Sequence, residues 1–384
     1  MMPGPFSVLV VTSEYGEAGG GLAKSCHEVS RLLRRSGWEV AVASPDPGTA
    51  DASIDCWATP GQVEGNPARR KLDEPLRLLD WSRQVQQRAR AERVGAVLAW
   101  GAGENGALAA EVARGADLPL VVSARGSEVS LAFCDPYRRC ANAASLLRAR
   151  MAIGCSAELV SRMRAQGLPE GVPSEVIPNP AVFPDAATLD VRPRVDRYVR
   201  FGTGARHLNE KKGVRKLLDA LAYLRERVSG TTWHLDLVGE IDEPLQRRYS
   251  EVAAHLGLAS QVSFHGWLSR SAFIDVCRSW TFAVQASPSE GCPNAVAEAL
   301  QVGLPVVTTD TGYFAEQFRR FAPEWVVNGW SGANIGETIA RLVVSGRLHE
   351  PLGPVVTGLA ALVSPEVVAA RWDSALRAVG RARR

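Results

Sequence analysis

The chain has 384 residues, 46% apolar and 22% charged, which excludes wholesale disorder and, at roughly 150 residues per domain, predicts two or three globular domains. Its 44 Lys and Arg against 41 Asp and Glu leave a net charge of +3, too near balance for holding nucleic acid by bulk electrostatics. The seven cysteines (26, 56, 134, 140, 155, 277 and 292) form no C-x-x-C pair, which argues against a zinc site or a disulfide framework and for a reducing compartment.

The first apolar run, Phe6 to Val11, lacks a basic leader and is too short for a signal peptide. No stretch reaches the roughly 18–20 apolar residues of a membrane span, and a cytoplasmic location is expected. Residues 7–12 predict a strand and 22–36 a helix ending at Gly37, a C-cap residue. Further strands are predicted at 39–44, 96–100, 118–123 and 152–155, each after the first followed by turn residues or a helical pattern. Between Pro178 and Pro193 the periodicity breaks, and then the alternation restarts at 198–202, 233–238, 262–264, 281–285 and 306–308. Strand–helix alternation of this kind means βαβ units and parallel sheets. The expected organisation is a Rossmann-like domain at 1–185, a linker at 186–197, a second Rossmann-like domain at 198–364 and a final helical segment at 365–384.

Ligands of open α/β sheets bind off the carboxyl ends of the strands, where loops lead into helix N-termini. Three such junctions stand out. The first, Glu14 to Gly21, ends in three glycines, which let backbone N–H groups approach a ligand such as a nucleotide phosphate. Lys24 breaks the G-x-G-x-x-G fingerprint, which disfavours a nicotinamide oxidoreductase, and a plain flexible turn is the alternative reading. The second, Gly204 to Gly213, holds two of only five lysines in the chain, Lys211 and Lys212, with Lys216 just beyond. Cations ahead of a helix stand at the wrong end of its dipole unless an anion binds between them. A diphosphate would satisfy Arg206, a lysine and the free amides together; otherwise this is a solvated charged loop. The third, Ser287 to Glu298, follows a predicted strand. Gly291 gives backbone access, Pro293 suits a first helical turn, and Glu298 falls on an otherwise apolar helix face, where Glu is rarely buried unpartnered. Eight residues separate Glu290 from Glu298, about two helical turns or on the order of 12 Å. That gap suits a long ligand held at two hydroxyl-bearing points; a capping Glu and an exposed Glu are the simpler alternative.

This third constellation resembles the E-x7-E signature of retaining glycosyltransferases of family 4, which have the GT-B fold of two Rossmann-like doubly wound domains facing across a cleft. The resemblance continues through Gly303-Leu304-Pro305-Val306-Val307, Gly312 and Glu316, takes in Gly202 to Gly213 and Val238-Gly239, and extends to Gly19–Gly21, Arg125-Gly126-Ser127-Glu128, Ser156 and Ile177-Pro178-Asn179. It implies a transferase that moves a sugar from a nucleoside-diphosphate sugar to an acceptor hydroxyl or amine, as in glycan or natural-product biosynthesis. By the resemblance, Glu298 takes the ribose hydroxyls and Glu290 hydroxyls of the transferred sugar. The backbone at Gly291, Cys292, Pro293 and Asn294, with Arg206 and Lys212 or Lys211, neutralises the diphosphate. Gly239 borders the base, Gly20 and Gly21 face the phosphates, and the last helix crosses back onto the first domain.

Three departures from the family pattern stand out. Arg125 replaces the histidine of H-G-x-[DE], Tyr313 replaces the second glycine of G-G-x-x-E, and one extra residue lies between Arg206 and Gly213. No metal or other cofactor is expected, since the cations and amides can stabilise the leaving diphosphate and no paired aspartates suggest a metal site. The resemblance implies front-face attack, in which the leaving phosphate helps deprotonate the acceptor. For the acceptor, Trp100, Glu104, Asn105, Arg125 and Glu128 stand at strand ends of the first domain. The basic stretch from Arg69 to Arg93, with Leu72, Leu76 and Leu79, lines the acceptor groove or touches an anionic membrane. Two other readings use the same features: a non-catalytic nucleotide-sugar binding protein, and a GT-B sugar-nucleotide epimerase, for which no acid/base pair is found.

Overall fold

The computed structural model describes residues 6–16, 20–44, 55–58, 67–181, 198–349 and 353–381. The expected linker at 186–197 and Gly19 lie outside these residues. The chain divides into two compact units, residues 1–180 with 365–384, and residues 181–364.

The first unit runs β1 (Ser7–Val11), α1 (Gly21–Arg35), β2 (Glu39–Ser44), β3 (Asp55–Ala58), α2 (Pro67–Ala91), β4 (Ala96–Trp100), α3 (Glu104–Ala116), β5 (Leu120–Ala124), α4 (Ser127–Ser130), α5 (Pro136–Leu146), β6 (Ala149–Gly154), α6 (Ala157–Ala165) and β7 (Ser174–Val176). Its sheet has the order β3-β2-β1-β4-β5-β6-β7, and every pairing is parallel. The central strands are buried along their whole length, which is why they read as unbroken apolar runs. The short outer strands β3 and β7 carry no such pattern; they exist by pairing with residues 41–44 and 152–154. Helix α2 turns Trp81, Val85 and Ala89 inward and leaves Leu79 at 40% exposure. The side chains of Leu72 and Leu76 lie outside the description.

A last helix, α14 (Pro365–Arg381), belongs to this unit. Val368, Trp372, Ala375, Leu376 and Val379 join the core formed by Val8, Val10, Leu33, Trp38 and Trp100, a helical spacing on one face. Trp38 donates its indole N–H to Asp373 at 2.7 Å, and Asp373 also holds Arg377, whose guanidinium lies 4.2 Å from the centre of the Phe6 ring. By length and composition the stretch Gly353–Gly380 holds an 18-residue window apolar enough to cross a membrane, with a mean hydropathy of 1.5, which corrects the expectation that no segment qualifies. It is not one helix: α13 (Gly353–Leu362) ends before Pro365 opens α14, and the tryptophan and aliphatic face of α14 packs into the core.

The second unit holds β8 (Tyr198–His207), α7 (Val214–Arg227), β9 (Thr232–Glu240), α8 (Glu243–His255), β10 (Val262–Gly266), α9 (Arg270–Cys277), β11 (Phe282–Gln285), α10 (Asn294–Gln301), β12 (Val306–Thr309), α11 (Gly312–Phe321), β13 (Val326–Val327) and α12 (Gly332–Val344), besides α13. The parallel sheet order is β10-β9-β8-β11-β12-β13, and both sheets follow the doubly wound 3-2-1-4-5-6 pattern. Strand β8 runs to His207, not Gly202, because it pairs with β9 through a register shift between Gly204 and His207. Gly239 sits at that shift with φ +146°, and a Cβ there would lie 2.2 Å from the Ala205 carbonyl oxygen.

One charge is fully buried in this unit. Asp236 on β9 accepts from Arg200 through both guanidinium nitrogens, from His265 Nε2 at 2.7 Å and from Trp280 Nε1 at 2.8 Å. Burial pushes its carboxyl up, but these hydrogen bonds together hold it below the usual carboxylate range. Its neighbour His234 is held below the usual imidazole range, first by burial and then by the Arg200 and His265 charges, against the pull of Asp236. Both folded-state values are depressed, so both groups add stability that is present at neutral pH and lost on acidification. His234 acts as pH falls below about 6.5 and Asp236 below about 3.9, their unfolded values. Denaturant titrations across pH should show two acid-side losses of stability. His234→Gln should abolish the upper one and leave the lower, and an unchanged upper limb would contradict the assignment.

Candidate functional site

In each sheet the strand order reverses at one place, between β1 and β4 in the first unit and between β8 and β11 in the second, where loops diverge and leave a crevice at the carboxyl edge. In the second unit this edge is formed by the loops after β8 and β11. Lys212, in the turn before α7, places its ammonium 2.6 Å from Glu290 Oε1 in the loop after β11. Gly213, with φ +73°, lets the two loops touch, since a Cβ there would lie 2.3 Å from the Ala286 carbonyl oxygen.

The Glu290 loop is fixed from several sides. The Ala286 carbonyl accepts from Trp330 Nε1 at 2.7 Å, and the Ser287 carbonyl from Thr309 Oγ1 at 2.6 Å. The Glu290 amide donates to Thr311 Oγ1, and the Gly291 carbonyl accepts from the Tyr313 amide at 2.8 Å. Gly312, with φ +75°, packs its Cα against the Glu290 and Gly291 carbonyl oxygens, each 2.7 Å from where a Cβ would stand. The side chains of Glu290 and Lys212 are 11% and 28% exposed, reachable by a ligand yet held. Thr311, Thr309 and Trp330 escaped the sequence reading; their only signal was membership of the loops after β12 and β13.

The other predicted donor residues fall nearby with different surroundings. Arg206 is exposed on the last residues of β8 rather than in a loop, and Lys211 stands half-buried beside Lys212. Of the two lysines, Lys212 is the one whose side chain meets Glu290. Helix α10 starts at Asn294 with Pro293 as its N-cap and Gly291 and buried Cys292 ahead of it. Glu290 therefore lies outside the helix, and the two-turn, 12 Å separation expected between Glu290 and Glu298 does not apply. Glu298 occupies the second turn of α10. Burial, with Glu298 and then Asp236 adding to it, pushes the Cys277 thiol upward, so the Glu298 carboxylate lies within electrostatic reach of the end of α9. Gly239 answers to the β8 bulge described above, a packing demand independent of any ligand. The Tyr313 ring is 4% exposed and meets Phe314 edge-on, while its backbone amide addresses the Glu290 loop. A pocket of about 230 Å³ opens on the α7–α8 side, lined by Glu210, Gly213, Arg215, Lys216, Arg248 and Trp330 among others; the predicted donor residues are not part of its wall.

Helices α1, α7 and α10 start beside the switch points, and their N-cap residues, Gly20, Gly213 and Pro293, supply no side-chain cap, as is also true of α3, α8 and α11. Farther along the edges Ser156, Ser269 and Ser331 cap α6, α9 and α12. Uncapped first turns keep N–H groups for an anion. Gly20 has an ordinary φ of −64°, and a Cβ would meet only Glu14 at 3.9 Å; Gly21 is the first residue of α1. At the same edge of the first unit, Trp100 is fully buried, donating its indole N–H to the Leu22 carbonyl, and Asn105 donates to the Trp100 carbonyl at 2.7 Å. Both side chains are engaged inside the first unit, Trp100 fully buried and Asn105 7% exposed. Glu104 is exposed, and Glu128 accepts from the Arg125 amide. Arg125 is 8% exposed with its guanidinium over the Trp100 ring. Among the described residues no group of three His, Cys, Asp or Glu is placed to hold a metal ion.

With that geometry in view, the sequence matches the family "Glycosyl transferases group 1" over residues 205–353 and "Glycosyl transferase 4-like domain" over residues 20–180. No curated protein matches significantly. Among solved structures, Anabaena Alr3699/HepE in complex with UDP and glucose aligns at a TM-score of 0.74, with 17% identity over 97% of this chain and 100% of that one. Sucrose-phosphate synthase from Thermosynechococcus elongatus aligns at 0.75, with 16% identity over 98% and 100%. WaaG, a glycosyltransferase of lipopolysaccharide biosynthesis, aligns at 0.67, with 16% identity over 95% and 98%. These likenesses establish the fold as GT-B.

The contact at Gly312 yields a test. Gly312→Ala forces a strained backbone against two carbonyl oxygens and should cost about 1–3 kcal/mol, read as a lowered Tm. Gly358→Ala, in α13 with nothing within 4 Å of its Cβ position, should instead raise stability by about 0.5–1 kcal/mol. Equal effects of the two substitutions would contradict the packing described.

Proposed function

We propose that this chain, which belongs to the glycosyltransferases through an amino-terminal 4-like domain and a carboxy-terminal group 1 domain, moves a sugar from a nucleoside-diphosphate sugar to an acceptor hydroxyl or amine with retention of anomeric configuration. The observation that carries this reading is the Lys212–Glu290 contact at 2.6 Å, joining a cation and a carboxylate on two rigid loops at the switch point of the second unit. HepE is solved with UDP and with UDP-glucose, which favours a uridine donor for this chain.

In this reading Lys212 and Arg206 neutralise the diphosphate together with backbone amides at Gly291, Cys292 and Asn294. Glu290 takes hydroxyls of the transferred sugar, and Glu298 those of the ribose. Lys211, Gly239, Gly20 and Gly21 complete the donor surroundings. Transfer builds positive charge at the anomeric carbon and negative charge on the departing diphosphate, so fixed cations and oriented amides lower the barrier most when they meet that growing charge. Those groups supply the charge stabilisation without a metal. Glu290 holds Lys212 in place before the ligand arrives, and an arriving phosphate shares that ammonium, so little reorganisation remains for the chemical step. The leaving phosphate then takes the acceptor proton on the same face. The acceptor belongs to the first unit, with Arg125 and Glu128 at its carboxyl edge, and the reaction takes place in the cytoplasm.

Glu290→Gln should abolish transfer while leaving affinity for UDP near the parent value in calorimetry; unchanged turnover would refute its role. Lys212→Ala removes a charge-assisted contact worth about 1.5–3 kcal/mol and should weaken UDP binding about 10- to 100-fold but uridine binding hardly at all. Lys211→Ala should do much less. Equal losses for UDP and uridine would remove the diphosphate role of Lys212. Donor identity follows from a thermal-shift panel of nucleotide-sugars, since a ligand of the folded state alone raises the Tm.

A further inference from the structure

Arg125 is the one Lys or Arg among the buried polar residues described, and the described hydrogen-bond partners of its guanidinium are neutral. Nη1 donates to Ser123 Oγ at 3.2 Å, Nη2 donates to Asn179 Oδ1, and the guanidinium lies 4.3 Å over the centre of the Trp100 ring. Its Nε–H is buried with no partner among the described residues. The carboxylate of Glu128 accepts from the Arg125 backbone amide, and among the described residues no acidic side chain lies within ion-pair distance of the guanidinium.

Three partly buried cations elsewhere are paired with carboxylates. Arg200 is paired with Asp236, Lys212 with Glu290 and Arg377 with Asp373. A guanidinium carries five N–H donors in a planar fork, and two neutral acceptors leave most of that capacity and the whole charge unmet. Burying a cation without a counter-charge is costly. Neutral acceptors nonetheless hold the fork in one orientation without discharging it, as a preformed oxyanion receptor requires. Arg125 also stands directly after β5, with Asn179 beyond β7 and Trp100 ending β4, all on the carboxyl edge where a parallel sheet takes its ligands.

We propose that the ligand of the first unit presents an anionic oxygen group, a carboxylate or a phosphate, to the Arg125 guanidinium. This rests on the reading of that unit as the acceptor domain and narrows the acceptor to an acidic one. Arg125 is then a binding residue whose charge is completed by substrate.

Arg125→Met keeps a side chain of similar length over Trp100 and removes the charge. If Arg125 were purely structural, its loss would lower the Tm of the free protein. Here Arg125→Met should match the parent Tm or exceed it, because an uncompensated buried cation has been removed. Inorganic phosphate and malonate, each at tens of millimolar and constant ionic strength, are the probes for the two oxyanion classes. At least one should raise the Tm of Lys212→Ala, which lacks the diphosphate-binding cation, by a few degrees, and neither should raise that of Lys212→Ala/Arg125→Met as far. Arg125→Lys, which keeps the charge but loses the fork, should retain a reduced shift and provides a second folded variant. A lowered Tm in Arg125→Met, or an anion shift in the Lys212→Ala background that does not depend on Arg125, overturns the proposal. UDP binding is measured alongside. Its absence in the parent would sink the glycosyl-transfer reading, whereas intact UDP binding with no Arg125-dependent anion shift would sink only this one.

Discussion

The candidate site depends on close approach between loops that are far apart in sequence. Gly213 lies against the Ala286 carbonyl and Gly312 against the carbonyls of Glu290 and Gly291, at distances where a Cβ could not stand. Both glycines have positive φ, so the approach demands their conformation as well as their small size. Once the backbones meet there, Lys212 and Glu290 come within hydrogen-bond distance, and Thr311, Tyr313 and Trp330 lock the remaining polar groups of the loop. An arrangement held by backbone contact and paired polar groups is preorganised, which is what stabilisation of a developing charge requires.

The two units solve the problem of buried charge differently. In the second, Asp236 is surrounded by Arg200, His265 and Trp280, and every strong interaction is met inside the protein. In the first, Arg125 is held by neutral groups and an aromatic face. A closed network contributes to stability and makes it pH-dependent; an open one keeps its binding capacity for something that is not part of the chain.

Much of the fold was legible because parallel strands buried on both faces must be apolar throughout. The runs at β1, β4 and β12 could be read directly, and their alternation with amphipathic helices implied two doubly wound sheets. Strands β3 and β7 could not be read this way, since they are short and depend on a neighbour already in place. At the site, the rarity of lysine pointed to 211–216 and the resemblance pointed to Glu290. Nothing local marked Thr311 or Trp330, whose roles come from where β12 and β13 end. Trp100 at the end of β4 turns into the core and Asn105 in α3 donates back to its carbonyl, because a position close to a ligand edge in sequence terms can equally face inward.

By itself, the sequence determined the class of architecture, the position of the glycine-bearing junctions and the residue types able to meet a diphosphate, because periodicity, backbone freedom and charge are properties of local composition. Only the tertiary structure decided that Lys212 rather than Lys211 meets Glu290, that Gly239 serves a bulge, and that Arg125 is buried with no counter-charge among the described residues. Those outcomes depend on which strand lies beside which, and on whether a distant side chain arrives to satisfy a charge, and neither is encoded in the spacing of neighbours along the chain.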